Sequence, residues 1–92
     1  MKKPLRYVAR PLEVHALQWT GENIEAVEDF AGTARCAAHD PVRQRLYLFT
    51  VDGAQSVYAG SWLVIDHHRN LFILTDSWFR EQYAETVMHH PV

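Results

Sequence analysis

The residues of this 92-residue chain that could bind a metal are its six histidines and its single cysteine. Several of them lie in short groups, which are Cys36 with His39, Asp66-His67-His68 and His89-His90. A closed zinc site needs about four converging nitrogen and sulfur ligands, usually supplied as closely spaced pairs. One cysteine cannot supply a thiolate pair, and adjacent histidines in a turn usually diverge. The sequence therefore predicts no metal ligand and no cofactor, and a metal-dependent enzyme ranks third among the functions considered.

Nucleophilic catalysis is the second chemistry to weigh. Ser61 follows Gly60, but the Gly-x-Ser-x-Gly elbow that exposes a catalytic serine is missing. Cys36 stands among alanines, where cysteine usually packs as a small core residue. The sequence contains no phosphate-binding loop and no dinucleotide fingerprint. We therefore expect no catalytic residue and no enzymatic activity.

The charge of the chain does not indicate a nucleic-acid ligand. The formal net charge is −2, far from the basic balance of a typical nucleic-acid-binding domain. Basic residues are concentrated near the start and acidic ones on the first predicted helix; they are Lys2, Lys3, Arg6 and Arg10, then Glu22, Glu25, Glu28 and Asp29. We interpret them as a basic arm beside a solvated helix face, with attraction of a charged partner as the alternative.

Three features bear on where the protein acts. No apolar run approaches the ~20 residues that a membrane helix needs. The basic start lacks the apolar core of a signal peptide, and a lone cysteine suits a reducing compartment. We therefore expect a cytoplasmic protein that does not engage a membrane.

The apolar pattern predicts an arm over residues 1–11, with Pro4 and Pro11, followed by one α+β domain over 12–92. Helical spacing indicates a first helix that starts near Ile24 and stops at Gly32. The predicted strands are 12–19, 34–39, 46–51, 54–58, 62–65 and 71–74, with Asp52-Gly53 as a hairpin turn that needs two positive φ angles. A last helix starts at Thr75 or Asp76, with Phe79, Tyr83 and Val87 on one face. We expect a bent antiparallel or mixed sheet of five to six strands, similar to a half-barrel, covered by two short helices.

The three tryptophans separate into core and surface positions. Trp19 and Trp62 are expected to anchor the core, because large aromatic side chains dominate small cores. Trp78 precedes Phe79 and so points away from the apolar face of its helix. An exposed Trp78 beside Arg80 would be a partner-binding hot spot, since exposed tryptophan and arginine carry much of the energy of an interface.

Three short motifs carry a family resemblance. The stretch from Val14 to Gly21 reads Val-His-Ala-Leu-Gln-Trp-Thr-Gly, and Gly60 and Trp62 stand where a Pro-Gly-Asp-aromatic-Ile signature would lie. Phe79 and Tyr83 lie four apart in the last helix. In this order the chain resembles a family of small phage and prophage proteins. His15 replaces the usual glutamate, and Ala59 and Ser61 replace the proline and aspartate of the signature. The resemblance implies a mobile-element origin and a site of action in the host cytoplasm, but no defined activity.

Three functions follow from these observations. The first is a non-enzymatic phage-type accessory protein that binds a host or phage macromolecule, including one that inhibits a host antiviral defence system. Its partner would be a protein, and self-association into a homo-oligomer is a further option. The alternative is a small-molecule or nucleotide sensor whose pocket is lined by Tyr47, Tyr58, Trp62 and His67. The metal-dependent enzyme is the third.

Overall fold

The computed structural model describes residues 14–88, and it describes side chains as far as residue 83. The predicted arm over 1–11, its boundary with the domain, and His89-His90 lie outside the described residues. Val87 falls within the last helix, but its side chain is not among those described.

Six strands and two helices confirm the predicted α+β fold. In chain order the elements are β1 (His15–Gln18), α1 (Ile24–Ala31), a 3-10 turn (Thr33–Arg35), β2 (Cys36–Asp40), β3 (Arg45–Thr50), β4 (Gly53–Tyr58), β5 (Trp62–Ile65), β6 (Leu71–Leu74) and α2 (Asp76–Met88). All strand pairs are antiparallel. The strands divide into two open sheets of three, sheet 1 with the order β1-β5-β6 and sheet 2 with the order β2-β3-β4.

The hairpin between β3 and β4 confirms the predicted pairing but corrects its turn. Thr50 pairs with Gly53, so Val51 and Asp52 form the loop. Gly53 has φ +98°, whereas Asp52 does not have a positive φ. The two positive φ angles expected at Asp52-Gly53 are therefore reduced to one, at Gly53. The Thr50 hydroxyl supports the turn by accepting the Asp52 N–H at 3.1 Å and donating to the Gly53 carbonyl at 2.8 Å.

Helix α1 is tied to the end of β1 at its start and stopped by glycine at its end. Asn23 donates through its side-chain amide to the Gln18 carbonyl at 2.9 Å and accepts the Thr20 N–H at 2.9 Å. Val27 faces the core and is fully buried. Gly32, at φ +92°, ends the helix and donates its N–H to the Glu28 carbonyl at 2.9 Å.

The core lies between the facing sides of the two sheets and is closed by α1. The buried residues in contact there are Trp19, Val27, Leu46, Leu48, Val57, Leu63, Ile65 and Leu71. Within each strand these residues alternate with residues on the opposite face, as the pleat requires. At one corner the sheets are joined directly, because Val51 donates its N–H to the Leu71 carbonyl at 3.1 Å.

Trp19 confirms its predicted role in the core, whereas Trp62 does not lie there. The Trp19 side chain is 0% exposed, and its indole N–H donates to the Gln44 carbonyl at 2.8 Å. Its ring also makes a T-shaped contact with the His39 ring, at 5.6 Å between centroids. Trp62 is only half-buried, on the face of sheet 1 that points away from this core. The expectation of deep burial for Trp62 was wrong because its strand position places it under α2.

The hydrogen bond from Trp19 to Gln44 links β1 to the β2–β3 turn, and its contribution to stability can be tested by substitution. We expect Trp19→Phe to lower the free energy of unfolding by at least about 1 kcal/mol, because it removes this hydrogen bond and leaves the space of the second ring unfilled. Trp78→Phe is the control and should change stability by less than about 0.5 kcal/mol, as expected of a surface position. Urea unfolding of the three proteins measures both values. Equal midpoints for Trp19→Phe and wild type would contradict the proposed role of Trp19.

Candidate functional site

Helix α2 leaves sheet 1 directly at the end of β6. The Thr75 hydroxyl accepts the Trp78 N–H at 3.3 Å, and the Thr75 carbonyl accepts the Phe79 N–H at 2.9 Å. The first bond satisfies a backbone donor that has no partner within the helix itself, and the second is the first i→i−4 bond of the helix. The start of α2 is therefore fixed relative to β6, one residue after the strand ends.

The Asp76 carboxylate connects α2 to β1 and β5. One of its oxygens accepts the Trp62 indole N–H at 2.8 Å and the Gln18 side-chain amide at 3.3 Å. Arg80, one turn further along, donates its Nε to both oxygens at 3.0 Å. The hydrogen bond from Trp62, followed by that from Arg80, lowers the pKa of Asp76 below its ordinary value. Asp76 thus acts as an ionised anchor for the first turn of the helix.

A stack of aromatic rings continues this attachment along α2. The rings of Trp62 and Phe79 are nearly parallel, at 8°, with centroids 4.0 Å apart. Tyr83, one turn later, lies 5.2 Å from Phe79 between ring centroids. Residues four apart share a helix face, so Phe79 and Tyr83 form the underside of α2. The predicted shared face of these two residues is therefore confirmed, and it covers the surface of sheet 1 that carries Trp62.

The two flanks of α2 face opposite edges of sheet 1. Asp76 and Arg80 lie on the flank towards β1, as the bond to Gln18 shows. Trp78 is two residues from each, and successive residues rotate by about 100° around a helix, which places it on the far flank. There it lies with Gln82 beside Phe72 and Leu74 of β6. Trp78 is 51% exposed, as the sequence predicted.

A groove runs between this far flank and sheet 1, with a volume of about 250 Å³. We call it the α2 groove; its lining is Val64, Phe72, Leu74, Trp78, Gln82 and Tyr83. Val64 pairs with Phe72 across the strands, which places both side chains on the same face of the sheet. Five of the six lining residues are apolar or aromatic. A small set of apolar side chains around one glutamine amide suits an apolar ligand group better than a charged one.

The predicted partner-binding pair is not brought together by the structure. Trp78 borders the α2 groove, whereas Arg80 is engaged with Asp76 on the opposite flank. The Arg80 side chain keeps much of its solvent exposure, at 63%. Trp78 and Arg80 are close in sequence but not on the same side of α2, because a two-residue step on a helix separates side chains by more than half a turn.

The predicted sensor pocket is also dispersed. Tyr47 and Tyr58 lie on the face of sheet 2 opposite to Leu46 and Val57, since strand neighbours alternate in direction. Trp62 lies on the outward face of sheet 1, under α2. His67 lies in the exposed β5–β6 turn, with its ring 3.9 Å from that of His68. The four residues therefore occupy three separate surfaces.

The groups suggested as metal ligands have other contacts. Cys36 packs against the core, and burial, together with the Glu28 carboxylate, raises the pKa of its thiol. The His39 ring makes a T-shaped contact with Trp19. Asp66 accepts the backbone N–H groups of Asn70 and His68, each at 2.9 Å, and so shapes its own turn. Among the described residues, no three His, Cys, Asp or Glu side chains cluster as a metal site would require.

Sequence reasoning missed Gln18, Asp76 and the groove floor of Phe72 and Leu74. Asp76 was recognised only as a capping candidate, since nothing local indicates that its carboxylate meets a tryptophan 14 residues earlier. Gln18 gave no clear signal, because a polar side chain that alternates with Leu17 and Trp19 in a strand usually faces water rather than a protein partner. Its amide finds two, the Gly60 carbonyl at 2.9 Å and Asp76.

No family model, curated protein or solved structure matches this chain. Over the described residues, neither helix has the length and apolar character needed to cross a bilayer.

The lowered pKa of the Asp76 carboxylate predicts that the stability of the fold depends on pH. A lowered carboxyl pKa stabilises the fold at pH values above the unfolded-state pKa, about 3.9, and this stabilisation is lost as the pH falls through the folded-state pKa. We expect Asp76→Asn to lower the urea midpoint at pH 7 and to differ less from wild type in acid. In Trp62→Phe, NMR titration should show the pKa of Asp76 moving up towards its ordinary value. An unchanged pKa in that variant would exclude the indole as the main cause.

The prediction of a metal-free protein can be checked directly. Elemental analysis of the purified protein should find no stoichiometric transition metal, and a chelator should leave the thermal midpoint unchanged. A structural zinc would contribute many kcal/mol to folding, so its removal would be obvious. One metal per chain, together with unfolding by the chelator, would overturn this prediction.

Proposed function

We propose that this chain is a non-catalytic binding protein that engages a partner protein through the α2 groove. The observation that carries the proposal is Trp78, a half-exposed tryptophan on the rim of an apolar groove. Large aromatic side chains beside concave apolar surfaces are typical anchors of protein interfaces. Leaving such a side chain in water has no benefit for the fold itself, because Phe79 and Tyr83 already provide the contacts under the helix.

The rigidity of the surroundings supports the same proposal. The first turn of α2 is held by the Thr75 cap, the Asp76 carboxylate and the stack of Phe79 on Trp62. A rim that is fixed before binding loses little conformational entropy when the partner arrives. Trp78 is therefore presented at a fixed place above the groove.

Two other exposed aromatic side chains provide the natural comparison. Phe49 is 52% exposed and Tyr58 is 55% exposed, close to the value for Trp78. Tyr58 has a partner within the chain, because the Arg45 guanidinium lies 4.6 Å above its ring. Phe49 borders a different cleft, at the corner where the two sheets meet. Trp78 is thus the exposed aromatic residue that rims the α2 groove.

The resemblance to phage and prophage proteins gives the proposal a biological setting. In that setting the partner is a host or phage protein in the host cytoplasm, and inhibition of a host antiviral defence system is one outcome of binding it. The sensor alternative has less support, since Tyr47, Tyr58, Trp62 and His67 do not share a pocket. Catalysis has no constellation of residues to carry it in the described part of the chain.

The proposal predicts a selective effect of one aromatic substitution. The tagged protein would be expressed in its native host during phage growth, and co-purifying proteins would be identified by mass spectrometry. We expect Trp78→Ala to reduce recovery of the main partner at least tenfold, because interface tryptophans often contribute more than about 2 kcal/mol. Tyr58→Ala, matched in exposure, should recover it normally.

Both variants should unfold in urea at midpoints close to that of wild type. A lower recovery of the partner then reflects weaker binding and not a loss of folded protein. Undiminished recovery by Trp78→Ala would overturn the proposal that the partner binds at the α2 groove. Equal loss in both variants would point to a nonspecific aromatic surface instead.

A further inference from the structure

Strand β6 forms one border of the α2 groove and also one edge of sheet 1. In the described part of the chain it pairs along its length only with β5. Edge strands expose unpaired backbone groups, and proteins usually protect them with charge, proline or a bulge. The sequence of β6 is Leu-Phe-Ile-Leu, which contains none of these protections.

The hydrogen-bond phase of β6 identifies which groups face outward. The Asp66 N–H bonds the Asn70 carbonyl at 3.2 Å, which makes 66 and 70 a hydrogen-bonded pair. Such pairs alternate along an antiparallel ladder, so the next ones are Val64 with Phe72 and Trp62 with Leu74. The N–H and C=O groups of Leu71 and Ile73 consequently point away from β5, towards the outer edge.

The chain already uses one of these outward groups. The Leu71 carbonyl accepts the Val51 N–H at 3.1 Å, which shows that the edge accepts a backbone donor from an adjacent segment. The N–H and C=O of Ile73, two residues on, form no backbone bond of this kind within the described residues. They lie next to Phe72 and Leu74, whose side chains form the floor of the groove.

A strand that pairs with this edge would therefore contact both the outward backbone groups of Ile73 and the apolar floor of the α2 groove. Its backbone would bond Ile73, and every second side chain would lie on the same face of the sheet as Phe72 and Leu74. Trp78 and Gln82 are on the flank of α2 that faces this edge, so they would cover those side chains. Backbone bonds would supply affinity, and the groove would select the alternate side chains, as in other cases of strand addition.

Positive charge near the Leu71 end of the edge favours a particular residue type in the added strand. Arg35 lines a second cleft there, of about 250 Å³, together with Val51, Asn70 and Leu71. Its guanidinium donates to the Arg69 carbonyl, which places the charge of Arg35 at this end of the edge. An acidic residue of the added strand would be favoured at this end, opposite the apolar groove.

We infer that the partner of the α2 groove is an extended peptide segment that adds as a strand to β6 at Ile73, with apolar side chains at alternate positions and an acidic residue at the end that approaches Arg35. This inference rests on the proposed function and names the form in which the partner binds. The edge carries the backbone contacts, and Trp78 covers the apolar side chains.

The test uses phage-displayed random twelve-residue peptides, selected against the whole protein. Selected sequences should alternate apolar residues and carry Asp or Glu towards one end. Synthetic versions of the best peptide would then be titrated with single N-methyl groups at successive residues. N-methylation removes a backbone donor, so affinity should fall at least tenfold at the residue whose N–H meets the Ile73 carbonyl and stay within about twofold at the residues on either side of it. Trp78→Ala should weaken the unmodified peptide at least tenfold, and Tyr58→Ala should not.

The possible failures are distinguishable. Peptides that depend on Trp78 but show a helical spacing of apolar residues, or no position-specific loss of affinity in the N-methyl series, would overturn strand addition and leave the groove as the binding site. Peptides that bind equally well to Trp78→Ala, or a selection that yields none, would overturn both proposals. A dimer that dissociates as peptide binds, seen by sedimentation, would assign the edge to a second copy of this chain and overturn the inference.

Discussion

The buried indole of Trp19 is the constraint on which the other contacts depend. It lies at the end of β1, yet its N–H is bound to Gln44, in the turn between β2 and β3. Backbone bonds between Trp19 and both Gly60 and Ser61 continue the pairing of β1 with β5 past Gln18. One residue therefore fixes the first strand of sheet 1 against a turn of sheet 2, and the core fills the space between the two sheets.

The outward face of sheet 1 is positioned as a consequence. With β1 and β5 in register, Gln18 and Trp62 lie side by side and together bind Asp76. Helix α2 is therefore held by its first turn and by the stack of Phe79 on Trp62, while its far flank stays open. The same arrangement that attaches the helix over β5 leaves the edge of β6 at Ile73 without a pairing strand among the described residues and Trp78 at the rim of a groove. The candidate site is therefore on the face of sheet 1 that points away from the core, beside the open flank of α2.

The sequence predicts the elements well because they depend on local patterns. Aromatic and β-branched residues identified β3, and the Asp-Gly signal identified its hairpin with β4. Helical spacing with Gly32 identified α1, and a Thr-Asp start identified α2. The division into two sheets depends on long-range pairing of β1 with β5, which no local pattern encodes. The same limitation explains why the expected deep burial of Trp62 was wrong, because a strand that is apolar on both faces does not reveal which face meets the core. Trp78 was predictable from helix geometry, whereas its groove required the position of β6.

Amide hydrogen exchange at two neighbouring residues of β6 tests the central claim most directly. The Phe72 N–H already lies in the ladder with β5, whereas the Ile73 N–H faces the open edge. When a peptide selected against the protein is bound, the account predicts a tenfold or greater slowing of exchange at Ile73, well beyond the change at Phe72. Unchanged exchange at Ile73 in the saturated complex would contradict the claim that this edge of the α2 groove receives a strand.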